Sequence, residues 1–151
     1  FVLAGAPGVD PAYYQNYICK DVPLKIVFGQ TYRLLQQTSA ALVTSGTATL
    51  ETALLNIPEV VCYRSSTISY EIGKRVVKNI KYISLVNLIM DQEIVTELIQ
   101  SNLNTKSLVT ELSAILEGEQ RGKMLNSFHE LREKLGGKGA SDEAAALIVK
   151  G

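Results

Sequence analysis

The stretch LVTSGTATLETALLNIPEVVCYR, from Leu42 to Arg64, contains two apolar runs separated by a glycine loop and a helical pattern. The runs ALVTS and EVVCYR are β-prone, and the segment from Thr47 to Asn56 between them is typical of a helix. Pro58 ends that helix because proline cannot continue the backbone hydrogen-bond ladder. The order strand, helix, strand predicts two parallel strands joined by a right-handed crossover.

The same alternation continues on both sides of this stretch. The apolar runs FVLAG, LKIVF and YISLV are each predicted to form a strand, and helices are predicted between strands over Pro11–Lys20, Thr31–Gln37 and Thr67–Lys78. Continuously apolar strands separated by helices indicate a parallel sheet with helices over both faces. The predicted fold class is therefore α/β, with a doubly wound, Rossmann-like parallel sheet.

The second half of the sequence is predicted to be helical. We expect no strand after Leu85, and helical patterns cover Asp91–Gln100, Lys106–Glu117, Gln120–Leu135 and Ser141–Val149. Since there is no sign of an internal repeat or a second core, we predict one α/β domain over residues 1–151. Its carboxyl-terminal part, from about residue 86 to residue 151, is predicted to be helical.

Composition excludes several classes of protein. Fifteen basic residues balance fifteen acidic ones, whereas nucleic-acid-binding proteins usually have a concentrated basic excess. We therefore expect no nucleic-acid partner. Cys19 and Cys62 lie in separate apolar segments and form no pairing or metal motif, which indicates reduced thiols, no metal site and a cytoplasmic protein.

The sequence opens with FVLAG rather than with an initiator methionine. Because Phe1 to Ala4 already has the pattern of a buried strand, we expect the numbering to begin inside a longer protein. In that case the chain is a fragment.

The loop between the two strands of the opening stretch has the features of a phosphate site. In open α/β sheets, ligands bind beyond the carboxyl ends of the strands. Gly46 lets the backbone approach a ligand, while the amides from Thr47 to Thr49 and the helix dipole favour a phosphate. The hydroxyls of Ser45 and Thr47 add donors. Glu51 follows Thr47 by one helical turn, about 6 Å along the axis, where its carboxylate can accept the two hydroxyls of a ribose.

A purely structural interpretation of these residues remains open. Ser45 and Thr47 are typical helix-capping residues, and an acid such as Glu51 near a helix start is favoured by the dipole. The loop has neither the G-x-G-x-x-G fingerprint of dinucleotide-binding proteins nor the G-K-[ST] of a Walker loop.

The segment SGTATLETALLNIPEVVCYRSSTISYEIGKRVVKNIKYISLVNLI is similar to the carboxyl-terminal domain of lipid-A-disaccharide synthases, bacterial inverting glycosyltransferases of the two-domain GT-B type. The specific elements are the run SGTATLE, the Tyr-Arg that ends the next strand, Lys74 with Arg75, and YISLVNLI. A weaker likeness extends from GQTYRLLQQTSAAL to the closing SDEAAALIVKG, so the resemblance covers most of the chain.

The resemblance implies an enzyme that transfers diacylglucosamine from UDP-2,3-diacylglucosamine to 2,3-diacylglucosamine 1-phosphate, without a metal or another cofactor. The chain would then be the UDP-sugar-binding domain of that enzyme. By the resemblance, Gly46 and Thr47 contact the diphosphate, Glu51 contacts the ribose, and Asn87 in the SLVNL loop helps to hold the nucleotide. We include Ser45 and Thr49 among the predicted UDP-binding residues.

The sequence departs from the family pattern in two places. Val86 stands where family members usually have proline, and the Gly-Ser-Arg phosphate loop expected before Phe1 is absent. The amino-terminal acceptor domain, which supplies the acceptor pocket and the candidate general base, is also absent. The catalytic residues are therefore unknown, and we expect the chain alone to be inactive.

A basic stretch is the candidate for contact with a membrane surface. Lys74, Arg75 and Lys78, with Lys81 beyond them, are interleaved with apolar residues. A solvated helix face is the alternative interpretation, because four charges are at the lower limit of a lipid-binding cluster. A substrate with acyl chains comes from a bilayer, which predicts a cytoplasmic protein peripheral to the inner membrane.

Two broader alternatives remain for the function. The chain is either part of another GT-B enzyme that uses a UDP-sugar, such as a different glycosyltransferase or an epimerase, or a binding or assembly module without catalysis. The terminal segment SDEAAALIVKG has a capped, amphipathic helical pattern after the GGKG linker. If this helix exchanges between two copies, the protein forms a homodimer. His129, the only histidine, is assigned no role in the site.

Overall fold

The computed structural model describes residues 1–19, 21–44, 46–65, 81–136 and 148. The chain divides into two compact units, Phe1–Thr38 and Ser39–Gly151. Each unit is described by itself.

The first unit contains two parallel strands and two short helices. In chain order these are β1 (Val2–Gly5), α1 (Pro11–Gln15), β2 (Lys25–Phe28) and α2 (Thr31–Leu35). Asp10 caps α1, since its carboxylate accepts the Ala12 amide at 2.8 Å. A side chain at Gly5 would collide with the ring of Phe28 on the paired strand, so a larger residue there would displace that ring.

The second unit contains a three-stranded parallel sheet in the order β3, β4, β5. Its elements are β3 (Ala41–Thr44), α3 (Thr47–Leu54), β4 (Glu59–Tyr63), α4 (Leu85–Met90), β5 (Glu97–Ile99), a 3-10 turn over Gln100–Asn102, α5 (Thr105–Leu116) and α6 (Gly118–Leu135). Thr44 lies opposite Cys62 on β4, and Cys62 lies opposite Leu98 on β5. The carboxyl ends of the three strands therefore meet at one edge of the sheet.

The core of the second unit lies between this sheet and its helices. Its fully buried members come from β4, α3, α4, the segment before β5, and α6: Val60, Val61, Ala53, Val86, Val95, Phe128 and Leu131. Basic side chains of α6 also donate to backbone carbonyls of other segments: Arg121 to Ser39 at 2.6 Å, Arg132 to Leu54 at 2.8 Å and Lys134 to Ile89 at 2.6 Å. These contacts attach both ends of α6 to the rest of the second unit.

The predicted α/β class, with parallel Rossmann-like strands separated by helices, is confirmed. The runs FVLAG, LKIVF, ALVTS and EVVCYR all contain strands, and the helices predicted to begin at Pro11, Thr31 and Thr47 begin there. Their ends come two to five residues earlier than predicted, at Gln15, Leu35 and Leu54. The predicted helix Thr67–Lys78 lies outside the described residues, as does nearly all of Ser141–Val149.

Two predictions about the second half were wrong. YISLV does not form a strand, because Ser84 caps α4 and its hydroxyl accepts the Asn87 amide at 3.3 Å. The predicted helix Asp91–Gln100 instead contains β5, so strands do not stop at Leu85 and the part after residue 86 is not wholly helical. Pairing with β4 provides backbone partners that outweigh local helix propensity in this segment.

Candidate functional site

The start of α3, at Gly46 and Thr47, is exposed at the carboxyl edge of the sheet. Gly46 precedes α3 with φ 131° and ψ −160°, a conformation that favours glycine, and open space lies where its side chain would stand. Thr47 begins the helix and is exposed. The first amides of a helix have no acceptor within it, so the amides of Thr47 and Ala48 can donate to a ligand. Ser45 lies outside the described residues.

Thr49 has a different role from that of a surface donor. Its side chain is fully buried, and its hydroxyl donates to the Gly46 carbonyl at 2.8 Å. Its amide also donates to that carbonyl, at 3.2 Å. The Thr49 amide is therefore not free to bind a phosphate, contrary to the prediction. Direct contact between Thr49 and UDP stays a prediction. Through these two contacts with the Gly46 carbonyl, Thr49 stabilises the backbone conformation at the start of α3.

Glu51 lies one turn into α3 and is half-buried. Among the described residues, its carboxylate has no hydrogen-bond or ion-pair partner. A carboxylate in this position is available to accept hydrogen bonds from a ligand that also contacts the helix start. The geometry is therefore compatible with the predicted ribose contact, which stays a prediction.

Asn87 is fully buried on α4, and its side chain makes all four of its hydrogen bonds within the protein. Its oxygen accepts the amides of Ile94 at 2.8 Å and Val95 at 3.0 Å. Its nitrogen donates to the Val95 carbonyl at 2.8 Å and to Glu97 at 2.9 Å. The predicted contact with a nucleotide stays a prediction, and in this geometry Asn87 acts by holding the loop before β5.

Glu97 completes the same buried network from the first position of β5. Its carboxylate accepts the amides of Ile83 at 2.8 Å and Ser84 at 2.9 Å, and the Ser84 hydroxyl at 2.8 Å. The network thus joins the start of α4 to the start of β5 through side chains rather than through strand pairing. Sequence reasoning missed Glu97, because the apolar pairs on either side of it, Ile94–Val95 and Leu98–Ile99, recur at helical spacing and show no strand alternation.

An open cavity of about 630 Å³ lies at the carboxyl ends of β3 and β4. Its lining includes Thr44, Cys62 and Arg64, together with Leu103 and Thr105 before and at the start of α5. Partial burial raises the pKa of the Cys62 thiol above its usual value, so the thiol stays protonated at neutral pH. Both cysteines are free thiols, and Cys62 is half-buried, whereas Cys19 is exposed rather than packed.

Arg64 and Gln100 were also missed as candidates. One nitrogen of the Arg64 guanidinium, Nη2, donates to the carbonyls of Leu103 at 2.7 Å and Gln100 at 3.4 Å. The Gln100 side chain pairs with the backbone of Ser65 in both directions, accepting its amide at 3.1 Å and donating to its carbonyl at 3.2 Å. These contacts tie the end of β4 to the end of β5.

The proposed membrane-contact residues Lys74, Arg75 and Lys78 lie outside the described residues. Lys81 pairs with Asp91 at 3.3 Å on the surface. In the part of the chain that the structure describes, no helix has the length and apolar character needed to cross a bilayer. The same residues contain no cluster of three or more His, Cys, Asp or Glu side chains arranged for a metal ion. His129 is exposed on α6, 3.4 Å from Glu133.

Comparison with known proteins gives consistent matches. A family model described as Lipid-A-disaccharide synthetase matches residues 14–150. The lipid-A-disaccharide synthase of Syntrophus aciditrophicus (strain SB) is 37% identical over 152 residues, which cover 99% of this chain and 39% of that protein. The lipid-A-disaccharide synthase of Psychromonas ingrahamii is 42% identical over 135 residues, 89% of this chain and 35% of that protein.

A third relative, the lipid-A-disaccharide synthase of Pseudomonas putida (strain W619), is 34% identical over 150 residues. These cover 98% of this chain and 40% of the relative. The chain therefore spans two fifths or less of the length of each of these three relatives.

Proposed function

This chain belongs to the lipid-A-disaccharide synthetase family, and from that premise we propose that it is the nucleotide-binding part of a glycosyltransferase. The proposed donor is UDP-2,3-diacylglucosamine, and the proposed acceptor is 2,3-diacylglucosamine 1-phosphate. The relatives are named lipid-A-disaccharide synthases. Transfer of the diacylglucosamine group between these two substrates forms the glycosidic bond of the disaccharide.

The observation that supports this proposal most strongly is the open start of α3. Gly46 leaves space where a side chain would stand, and exposed Thr47 begins a helix whose first amides have no acceptor within the helix. Amides and a helix dipole in this arrangement favour the negative charge of a diphosphate. We assign Gly46 and Thr47, with Ser45 beside them, to the diphosphate of UDP.

The ribose is assigned to Glu51. Its half-buried carboxylate has no partner among the described residues and lies one helical turn, about 6 Å, beyond Thr47. Two residues support the site from within the protein. Thr49 holds the Gly46 carbonyl at 2.8 Å, and Asn87 holds the loop between α4 and β5.

We propose further that the transfer inverts the sugar configuration and needs no metal, and that the general base and the acceptor pocket come from a part of the complete protein outside this chain. The chain by itself is then inactive. Because both substrates carry acyl chains, the complete protein is proposed to work at the cytoplasmic face of the inner membrane, with Lys74, Arg75 and Lys78 at the surface and a homodimer as its assembly.

The proposal is tested by donor competition in the complete protein. Formation of disaccharide from labelled UDP-2,3-diacylglucosamine is measured while unlabelled UDP-N-acetylglucosamine or UDP-glucose is added in excess. We expect the diacylated donor to be used and UDP to inhibit competitively. If only a non-acylated UDP-sugar is consumed, the protein is a different UDP-sugar enzyme. If UDP neither binds nor inhibits, the nucleotide-binding proposal is wrong.

A further inference from the structure

The Arg64 side chain follows β4 at the edge of the sheet where the proposed nucleotide site lies. Thr44 on β3 is opposite Cys62 on β4. Gly46 comes two residues after Thr44, and Arg64 comes two residues after Cys62, so both residues lie beyond the carboxyl ends of paired strands. Adjacent strands are about 4.8 Å apart, so residues that follow the same edge of two paired strands can reach one small ligand. Thr44 and Arg64 also line the same cavity.

The guanidinium of Arg64 is anchored at one end and free at the other. Its Nη2 donates to the carbonyls of Gln100 and Leu103. Among the described residues, no acceptor is bound to its Nε or Nη1, and no carboxylate forms an ion pair with it. Arginine carries five N–H donors and a permanent positive charge. An exposed cation that is fixed by neutral carbonyls keeps both its charge and its remaining donors for a ligand.

Gln100 keeps this arrangement in place through an uncommon backbone conformation. Its φ is 51°, a region that residues other than glycine, asparagine and aspartate seldom adopt. This conformation presents the Gln100 carbonyl to Arg64 while the side chain pairs in both directions with the backbone of Ser65. Such conformations persist where surrounding contacts impose them, and they are concentrated at functional sites.

We propose that Arg64 is a second phosphate-binding residue of the nucleotide site, positioned by Gln100, and this inference rests on the proposed function. Arg64 and the start of α3 both follow the carboxyl ends of neighbouring strands, so a ligand at this edge can use the free donors of both. An anion with oxygens on two linked phosphates fits two such donor groups better than a single phosphate does. The ligand class is therefore a nucleoside diphosphate, with Arg64 contributing to the diphosphate and not to the nucleoside.

The test compares three ligands that differ only in phosphate content. Binding of UDP, UMP and uridine to the complete protein is measured by nuclear magnetic resonance titration, which reaches millimolar Kd values. For Arg64→Gln we expect UDP affinity to fall about tenfold to a hundredfold, as for loss of a charged hydrogen bond, while uridine affinity is unchanged. Arg64→Lys keeps the charge but loses the planar fork, so we expect an intermediate loss for UDP.

Arg121→Gln is the matched control. Arg121 also donates to two backbone carbonyls, Ser39 at 2.6 Å and Ile115 at 3.2 Å, but it lies on α6. We expect this variant to leave the ratio of UDP to uridine affinity unchanged. Equal loss for UDP and uridine in Arg64→Gln would make Arg64 structural, and no loss for either would place it outside the site. If Arg64→Gln does not fold, the ratio measured for Arg64→Lys decides in the same way.

The two proposals fail in different ways. Suppose that wild-type protein binds UDP more tightly than uridine and that both Arg64 variants keep the same ratio of UDP to uridine affinity. This result contradicts the role of Arg64 but not the proposed nucleotide site. Wild-type protein that binds UDP no better than uridine contradicts the diphosphate site itself, and Arg64 with it. Gln100→Ala should reproduce the loss for UDP in weaker form, because it releases Ser65 but keeps the guanidinium.

Discussion

At the scale of single residues, Glu59 at the start of β4 is fully buried, and neither of its carboxyl oxygens has a hydrogen-bond partner among the described residues. Desolvation raises the pKa of this carboxyl to about 9 from 4.5. Glu59 is therefore protonated at neutral pH in the folded protein and ionised in the unfolded chain. A buried carboxyl without a partner is a cost to stability, and that cost depends on pH.

We predict that the free energy of unfolding falls as pH rises between about 5 and 9. In this window the folded protein keeps a proton that the unfolded chain has released, so the slope approaches about 1.4 kcal/mol for each pH unit. Glu59→Met should remove most of this slope and raise stability at pH 8 by about 2 kcal/mol or more. Urea unfolding of wild type and variant at several pH values measures both effects.

Glu130→Gln is a suitable control for this measurement, because Glu130 is exposed on α6. It should leave the pH dependence as in wild type. If Glu59→Met kept the wild-type slope, another group would have to be the source of the pH dependence.

For the proposed ribose contact, we predict that Glu51→Gln in the complete protein raises the donor KM about tenfold and changes kcat little. A ribose contact is made alike in the ground state and the transition state, so its loss affects binding rather than the chemical step. Steady-state kinetics with varied donor concentration measures both constants. Glu93→Gln, at an exposed position, serves as the control. A fall in kcat with unchanged KM would reassign Glu51 to the chemical step.

Several residues of the candidate site could be predicted from sequence, and others could not. The helix start at Gly46 and Thr47 follows from the sequence, because a glycine followed by hydroxyl residues after an apolar run is a local signal. The burial of Thr49 and Asn87 could not be predicted, since it depends on which face of a helix meets the core. Arg64 and Gln100 were missed because the contact between them joins residues 36 positions apart in the chain.

At the scale of elements, the Asn87 network determines how α4 is joined to β5. The Asn87 side chain and the Glu97 carboxylate together bind four backbone amides: those of Ile83, Ser84, Ile94 and Val95. None of these four residues belongs to a helix or strand, and Ile94 and Val95 precede a strand of only three residues. Side chains thus supply here the partners that regular secondary structure usually supplies.

We predict that Asn87→Ala lowers the free energy of unfolding by about 3 kcal/mol or more. The substitution leaves buried amides and a carbonyl without partners, and each unsatisfied group costs about 1–3 kcal/mol. Chemical denaturation measures the change, and Asn126→Ala, at an exposed position on α6, should change stability little. An Asn87→Ala protein of normal stability that no longer bound UDP would instead support direct contact with the nucleotide.

Element prediction succeeded where the pattern was local and failed where pairing decided the outcome. The strands β3 and β4 of the stretch LVTSGTATLETALLNIPEVVCYR are apolar and are separated by Gly46 and Pro58, so both can be predicted as strands from the sequence. YISLV has the same apolar character, but Ser84 in its centre caps a helix. β5 was predicted as helix because its partner, β4, is 36 residues away in register, with Val61 opposite Glu97.

At the scale of the whole molecule, the chain provides the donor-binding part of the proposed glycosyltransferase. It covers 39% of the Syntrophus aciditrophicus relative and 35% of the Psychromonas ingrahamii relative. The proposed donor contacts all come from the unit Ser39–Gly151. Acceptor binding and proton removal are assigned to the rest of the complete protein, so changes in this chain should affect donor binding more than acceptor binding.

The position of Cys62 in the cavity beside Arg64 has a practical use. Its raised pKa makes its thiol slow to react, whereas Cys19 is exposed and should be labelled first. In a Cys19→Ser background, Cys62 becomes the single thiol of the chain and a built-in chemical reporter of the cavity. A ligand seated against Arg64 should slow its alkylation, and the rate, followed by mass spectrometry over a range of UDP concentrations, would give a titration curve without any added probe.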